Sequence, residues 1–410
     1  MIALRHIFFL VCLLISSDTW CQITVNNIND SLLYQILKGK DPLIDEVLNN
    51  PSRYEFQLIY TKINRQDSKL ILEERSLNKD KFYYNPASLI KFPLAVVGLE
   101  YLYSLRKYGA RLNSKILLNT CSCDFGTNQY VSKSANPTPE QFVREMMIMS
   151  NNDAYNLFFD LVGIDRCNTR MKEIGLNGII MRRRISAGCS DENNRISGGI
   201  QLLNDNDSVI YKVPCDSSIT NLMPDSSLPT KAGRSHFEKG KKINKPFDYS
   251  KSNHVRLADA NDLMIRLFFT ELIKDSGALF KFDDVYRNFF IESLGGFPRE
   301  LLNAAQDYSK TPDHYYKFFM DPSVMNTSTG NFRIYNKVGL AGGFVSDVSY
   351  FEDKENNISF FLSGAVFAKK DGIINGGKNN YNDLGIPLFR KIGSLIYRYE
   401  QEEKNKAGRL

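Results

Sequence analysis

Strand-like segments in this chain fall into two groups that lie far apart in the sequence. Phe56 to Ile63 alternates apolar and polar residues, and Leu70 to Arg75 follows it after a short polar turn, which is typical of a β-hairpin. Three more segments with strand composition lie near the C-terminus, at Phe332–Val338, Val345–Glu352 and Ile358–Phe367. The sequence between the groups is mostly helical in periodicity, so the strands of each group have only the other group to pair with. We therefore predict that both groups form one five-stranded antiparallel sheet of an α/β (α+β) sandwich.

Helical patterns precede, separate and follow these strands. Residues 30–49 and 383–402 carry apolar stripes, so we predict two terminal helices that cover one face of the sheet. The pattern from about residue 85 to 108, with further helices up to residue 294, predicts an all-helical middle subdomain on the other face. Residues 195–255 are rich in Ser, Asn, Asp and Lys, and we predict an insertion there.

The first 21 residues have the features of an export signal. Arg5 precedes the apolar run Ile7–Ile15, which is too short to span a bilayer as a mature helix. Small residues at the −1 and −3 positions predict cleavage between Cys21 and Gln22. A retained anchor and a lipid attached to Cys21 are the alternatives. We expect residues 22–410 to be a single periplasmic or secreted domain, monomeric and without stable membrane insertion.

The charge and the histidine content exclude several classes of partner. The net charge of +6, from 52 basic and 46 acidic residues, is too weak an excess to indicate nucleic-acid binding. Four scattered histidines argue against a metal site, and we expect no cofactor. From Lys231 to Lys251 there are seven basic and two acidic residues. This stretch is either a solvated surface or a basic lip that meets an anionic polymer or a carboxylate substrate.

The number of cysteines limits which disulfides the chain can form. Five remain after the predicted cleavage, and an odd number cannot pair fully within one chain. A disulfide between Cys189 and Cys215 is a candidate in an oxidising compartment, and the alternative is that most thiols are free.

The first segment whose side chains could take part in catalysis is Asn85-Pro-Ala-Ser-Leu-Ile-Lys91. Pro86 favours a helix start, and Ser88 and Lys91 share one helical face. The helix dipole favours an alkoxide on a serine at the N-terminus. A desolvated lysine has a lowered pKa and can accept the hydroxyl proton. The alternative is an ordinary core helix, because the surrounding residues are apolar.

Two later segments supply further polar groups. Ser150 and Asn152 lie at a bend between two predicted helices, where a hydroxyl can relay a proton and an amide can hold a substrate amide. Lys337 and Gly339 lie on a predicted strand, where the lysine adds positive charge and the glycine lets a substrate backbone approach the strand edge. The Leu340 N–H and the Ser88 N–H are candidates for an oxyanion hole. A simple turn and an exposed strand lysine are the alternatives.

The order Ser-x-x-Lys, Ser-x-Asn, Lys-x-Gly resembles that of the penicillin-recognising serine enzymes, which include class A β-lactamases and penicillin-binding proteins. The resemblance extends in element order from about residue 30 to 400. It implies that Ser88 is the acylated nucleophile and Lys91 its base or proton relay. It also implies that Ser150 protonates the leaving nitrogen, Asn152 contacts the substrate amide and Lys337 is an electrostatic anchor.

The sequence departs from the class A pattern at two points. A loop glutamate activates the deacylating water in class A enzymes, and Glu192 is the candidate here, although its spacing to the following asparagine differs. Val338 occupies a position where the family usually has a hydroxyl that contacts the substrate carboxylate. The lost hydrogen bond would be worth on the order of 1.5–3 kcal/mol.

These observations predict an exported serine hydrolase of the class A β-lactamase type that acts on β-lactam amides through a Ser88 acyl-enzyme. The alternatives are a D,D-carboxypeptidase-like hydrolase of cell-wall peptides and a non-catalytic binding protein with the same fold. The expected partner is therefore a small-molecule β-lactam or a cell-wall peptide.

Overall fold

The computed structural model describes the chain over the residues 23–29, 31–66, 69–119, 121, 137–220, 223–224, 226–273, 275–301, 310–325 and 330–407. The predicted signal segment 1–21 lies outside the described residues, so cleavage remains a prediction.

The strands, in chain order, are β1 (Ile23–Asn29), β2 (Gln57–Gln66), β3 (Lys69–Leu77), β4 (Lys115–Leu118), β5 (Ile179–Ile180), β6 (Ile196–Ser197), β7 (Ile200–Leu203), β8 (Val209–Val213), β9 (Asp216–Ser217), β10 (Lys231–Ala232), β11 (Ser235–Glu238), β12 (Lys241–Ile243), β13 (Phe247–Asp248), β14 (His254–Val255), β15 (Phe332–Ala341), β16 (Phe344–Asp353), β17 (Ile358–Phe367) and β18 (Ile373–Ile374). The α-helices are α1 (Ser31–Leu37), α2 (Pro42–Asn49), α3 (Lys91–Ser104), α4 (Pro139–Ile148), α5 (Asn152–Val162), α6 (Ile164–Glu173), α7 (Asp191–Arg195), α8 (Leu257–Phe268), α9 (Asp284–Gly295), α10 (Pro298–Leu301) and α11 (Ile386–Ala407).

One large sheet joins the two groups of strands, as the sequence predicted. Its order is β1-β3-β2-β17-β16-β15, and the hairpin partners β2 and β3 meet the C-terminal group through β17. The five predicted strands all pair antiparallel with one another. A sixth strand, β1, adds in parallel to the β3 edge, and the sequence analysis did not predict it.

The central strands of this sheet are buried on both faces. Leu58 and Tyr60 pack into one core, whereas Ile59 between them packs into the other. Helices α1, α2 and α11 cover the first face, and the middle of the chain covers the second. This layering agrees with the predicted α+β sandwich with terminal helices on one face.

The prediction of a single helix over residues 30–49 is wrong. The segment 30–49 forms two helices because Gly39 takes the left-handed conformation, at φ 75°, and Asp41 begins a new helix. The Asp41 side chain accepts a hydrogen bond from the Leu43 N–H at 2.8 Å, and Pro42 follows it. An acidic cap followed by proline is itself a helix-start signal, so this break was visible in the sequence.

The middle of the chain is not all-helical. It also contains small sheets built from strands of two to five residues, such as β4-β7-β8 and β11-β12-β18. Most of these strands lie in the region 195–255 that was predicted to be an insertion. Strands this short carry too few residues for a period-2 pattern to stand out from a polar loop.

The disulfide prediction is also wrong. Cys215 bonds to Cys121, with 5.7 Å between their Cα atoms, and Cys189 is in a disulfide as well. Pairing of β4 with β7 brings the two distant segments together. The remaining described cysteine, Cys167, is a buried free thiol, so most described cysteines are not free.

One helical stretch in the described part of the chain, Ala87–Tyr108, is long and apolar enough to cross a membrane by length and composition. Of its most apolar window, 78% is buried inside the fold, and the core helix of a globular protein passes the same test.

Candidate active site

Ser88 lies in a tight turn at the start of a largely buried helix. A 3-10 turn, Ala87–Ile90, runs directly into α3. Asn85 shapes this turn because its side-chain oxygen accepts a hydrogen bond from the Ala87 N–H at 3.0 Å, while Ala87 has φ 46°. Helix α3 is apolar almost all round and packs against neighbours on most sides, so the serine is held on a rigid element.

Lys91 is the centre of the polar contacts. Its Nζ lies 2.9 Å from the Ser88 Oγ, 2.7 Å from the Asn152 Oδ1 and 3.4 Å from the Ser150 Oγ. It also donates to the Ser150 carbonyl oxygen. A neutral amine has two N–H donors and one lone pair. Donation to the Ser150 carbonyl and to Asn152 therefore leaves the lone pair free to accept the Ser88 hydroxyl proton.

Burial lowers the pKa of Lys91 well below its ordinary value, and the positive charge of Lys337 lowers it further. The Asp153 carboxylate acts in the opposite direction. The side chain has no exposed surface. A lysine in this environment is a competent proton acceptor near neutral pH.

Ser150 and Asn152 lie at the junction of α4 and α5, as predicted. Asn151 caps α5, since its side-chain oxygen accepts hydrogen bonds from the backbone N–H groups of Asp153 and Ala154 at 2.8 and 3.1 Å. Ser150 has φ 55°, and this left-handed conformation accompanies the placement of its Oγ between two lysines.

Lys337 approaches from the sheet. It donates a hydrogen bond of 2.9 Å from its Nζ to the Ser150 Oγ, and only 1% of its surface is exposed. Burial lowers the pKa of Lys337 to about 7, the Asp347 carboxylate opposes that shift and the Lys317 charge adds to it. Ser150 therefore bridges the two lysines, and the three predicted segments meet at one place.

Gly339 allows strand β15 to lie close to another segment of the protein. A Cβ at this position would lie 2.2 Å from the Pro86 carbonyl oxygen and 2.5 Å from the Ser346 Oγ. Gly339 was predicted to admit a substrate backbone, whereas the contact that requires a glycine here is the one with the turn that carries Ser88. The next residue, Leu340, is 40% exposed and lines the cavity in front of Ser88.

That cavity has a volume of ≈ 620 Å³. Predicted residues form one side of it, and segments that the sequence analysis did not assign to the site form the other. The lining residues are Ser88, Ser150, Asn152, His314, Tyr315, Tyr316, Phe318, Val338, Leu340, Asn382, Ile386, Pro387 and Arg390.

A buried polar network holds the second wall against the sheet. The Asp347 carboxylate accepts hydrogen bonds from the Phe318 N–H at 2.9 Å and from the Asn336 Nδ2 at 2.8 Å. Lys317 donates to the Ile334 carbonyl oxygen at 2.7 Å and to the Asn336 Oδ1 at 3.1 Å. These contacts fix the segment that carries the aromatic lining residues.

Part of the chain resembles a known enzyme family in sequence. Residues 47–207 match the sequence model of the β-lactamase enzyme family. This part of the chain is therefore similar to the β-lactamase enzyme family. The match includes Ser88, Lys91, Ser150 and Asn152, and Lys337 lies beyond it in the large sheet. No curated protein matches the sequence of this β-lactamase-like chain.

Solved structures share the fold. An extended-spectrum β-lactamase aligns with a TM-score of 0.50 and 11% identity, over 90% of this chain and 98% of its own. A penicillin-G acyl-enzyme complex of PBP-A aligns with a TM-score of 0.49 and 15% identity, over 90% and 96% of the two chains. A β-lactamase from Burkholderia ambifaria aligns with a TM-score of 0.48 and 11% identity, over 86% and 97%.

Glu192 does not reach the cavity of this β-lactamase-like chain. It lies exposed on α7, where its own backbone N–H and Ser190 lower the pKa of its carboxyl group. The residue that approaches the site from the same loop region is Ser186, whose Oγ lies 3.3 Å from the Asn152 Nδ2. The role predicted for Glu192 therefore finds no support in its position.

The residues missed by the sequence analysis come from two segments near the C-terminal half of the fold. Arg390 is on α11, and His314 lies in the loop that Asp347 holds in place. Neither belongs to a short motif, so no local spacing signal could have indicated them.

The lysine pair predicts a bell-shaped pH dependence for acylation of the β-lactamase-like chain. Loss of the Lys91 proton should raise the rate with pH, and loss of the Lys337 proton should lower it as the pH passes about 7. In Lys337→Arg the guanidinium keeps its charge, so the alkaline limb should move out of the measurable range. Second-order acylation rate constants over pH 5–10 test this, and an alkaline limb that Lys337→Arg leaves in place would contradict it.

Proposed function

We propose that this chain is an exported, monomeric serine enzyme, periplasmic or secreted, that opens a β-lactam amide by forming an acyl-enzyme on Ser88. The observation that carries the proposal is the 2.9 Å contact between the Ser88 Oγ and the Nζ of the fully buried Lys91. Such a contact, with a lysine whose pKa is lowered by burial, is what activation of a serine nucleophile requires.

The acylation step follows from the contacts. Neutral Lys91 takes the hydroxyl proton as the Ser88 Oγ forms a bond with the amide carbonyl carbon. The negative charge on the carbonyl oxygen is stabilised by backbone N–H groups, for which Ser88 and Leu340 are the candidates. Ser150 then gives its proton to the departing amide nitrogen and regains one from Lys91, with Lys337 holding its hydroxyl in place.

Hydrolysis of the acyl-enzyme is where a second candidate function gains support. Among the described residues that line the cavity, none is Asp or Glu. A water molecule beside the ester then has no carboxylate base within this set, so deacylation should be slow. This observation favours a D,D-carboxypeptidase-like enzyme of cell-wall peptides, in which a β-lactam adduct persists.

Glu192→Gln should leave the deacylation rate unchanged within about twofold, because the carboxylate is exposed and outside the cavity. The rate is measured from the decay of the acyl-enzyme mass after excess drug is removed. A tenfold slower decay in the variant would restore Glu192 as the deacylating base.

Arg390 is a candidate for the substrate anchor that Val338 does not provide. It lines the cavity, and its buried Nε has no hydrogen-bond partner in the described part of the chain. Arg390→Ala should weaken noncovalent binding of a carboxylate-bearing β-lactam by about tenfold, the value expected for one hydrogen bond to a charged group. Binding to Ser88→Ala protein, with and without the second substitution, measures this, and equal affinities would contradict it.

Covalent labelling tests the proposed function itself. Wild-type protein should gain the mass of one penicillin, and Ser88→Ala should gain none. The matched control Ser186→Ala should still label, because Ser186 contacts Asn152 and has no described contact with Lys91. Labelling that survives in Ser88→Ala would remove the nucleophile assignment, and no labelling of the wild type would favour the non-catalytic alternative.

A further inference from the structure

The hairpin formed by β11 and β12 carries an excess of positive charge that is not neutralised by ion pairs with carboxylates in the described part of the chain. Lys239, Lys241, Lys242 and Lys245 are all exposed, and Glu238 is the single acidic residue among them. None of the four lysines is in an ion pair with a described residue. Exposed lysines elsewhere do pair with carboxylates, namely Lys115, Lys281, Lys378 and Lys391. We call residues 235–245 the basic hairpin.

The basic hairpin is held firmly in place by the fold. The buried His236 contacts the Lys245 carbonyl oxygen through its Nδ1 at 2.9 Å, and its ring packs on Phe247. Strand β11 pairs in parallel with β18, and just before it the Arg234 N–H donates to the Gly372 carbonyl oxygen at 2.9 Å. The lysines therefore project from an ordered scaffold, which lowers the conformational entropy that a ligand must overcome.

The scaffold also places the basic hairpin on the side of the molecule where Leu340 lies. The segment that carries β18 begins at Ala368, whose N–H donates to the Gly343 carbonyl oxygen at 2.6 Å. Gly343 is in the turn between β15 and β16, three residues beyond Leu340. The turn residue Gly342 also lies near Tyr249, since a Cβ placed on Gly342 would be 3.4 Å from the Tyr249 hydroxyl oxygen.

From this geometry we propose that the basic hairpin binds a linear phosphate-bearing polymer that lacks nucleobases. Four like charges on one short hairpin repel one another, and a polyanion relieves that repulsion while it releases its counterions. Lysine ammonium groups are compact charges suited to phosphate, whereas bidentate recognition of carboxylates is the speciality of arginine.

Nucleic acids fit the surface less well. Recognition of single strands relies on exposed aromatic rings on which bases stack. The two aromatic residues on or beside the hairpin, Phe237 and Phe247, are both partly buried, and Phe247 packs between His236 and Tyr249. This leaves the charged backbone of the polymer as the group that the hairpin recognises.

Binding of the full chain to medium-length inorganic polyphosphate tests the proposal. Lys239, Lys241, Lys242 and Lys245 are changed together to Gln. We expect Kd to rise at least about tenfold at low salt, and the slope of log Kd against log salt to fall by about 3, for four lost phosphate contacts. A charge-matched control changes the exposed residues Lys40, Lys107, Lys172 and Lys404 to Gln, and should bind as the wild type does.

Several results would overturn the proposal. The first is that the wild type does not bind polyphosphate, and the second is that both quadruple variants bind it equally weakly. The third is that polyglutamate or single-stranded DNA of matched charge binds the wild type as tightly as polyphosphate does. Labelling by penicillin should be unchanged in both variants, and this separates the polymer site from the proposed chemistry at Ser88. An unaltered urea midpoint in each variant confirms that the loss of binding is local.

Discussion

Replacing Lys91 with alanine should slow acylation of Ser88 by about 10³–10⁴-fold, the upper range for loss of a general base. The buried amine is the group placed to take the Ser88 proton, and its Nζ also contacts Ser150 and Asn152. The substitution thus removes the base and the group that links the two hydroxyls. The measurement is the second-order rate constant for adduct formation with a penicillin.

Two further variants make this result specific. Lys91→Arg should be nearly as slow as Lys91→Ala, because a guanidinium cannot give up its proton in this pH range. Lys107→Ala, an exposed lysine just beyond the same helix, should acylate at the wild-type rate. Acylation of Lys91→Ala within tenfold of the wild type would exclude Lys91 as the base.

Replacing Asp347 with alanine should lower the free energy of unfolding by about 3 kcal/mol. The carboxylate is fully buried and accepts hydrogen bonds from Phe318, Asn336 and Ser349, at 2.9, 2.8 and 2.8 Å. Its removal leaves those donors unsatisfied and removes the carboxylate charge that most favours the protonated form of the buried Lys317. Urea unfolding measures the change.

The matched control is Asp205→Ala, an exposed aspartate in a surface turn, which should change stability by less than about 0.5 kcal/mol. Because Asp347 also holds the wall that carries Phe318, its variant should bind penicillin more weakly even where it remains folded. A loss of stability below about 1 kcal/mol would show that the network is not needed to hold this wall.

The site residues that could be predicted from the sequence are those that lie only a few positions apart in the chain. Ser88 and Lys91 are three residues apart at a helix start, and Ser150 and Asn152 lie at a helix junction, so local rules place each pair. The large sheet was predictable for a similar reason. Strands of ten residues, such as β16 and β17, carry enough β-branched and aromatic residues to be recognised.

The rest depended on contacts between distant segments. Arg390 and His314 line the cavity because α11 packs beneath the sheet and because Asp347 fixes the loop before β15. Cys121 and Cys215 are 94 residues apart in sequence, and only the pairing of short strands brings them together. Glu192 had the chemistry of a base and the approximate sequence position, but helix α7 leaves it in solvent.

The central claim, that Ser88 is a nucleophile activated by Lys91, is tested most directly by following the intact mass of the purified protein with a penicillin over time. We expect one adduct per chain, mapped by peptide digestion to Ser88, that forms in minutes or less and persists because no described carboxylate lines the cavity. Intact drug and an unmodified protein mass at every time point would contradict the claim.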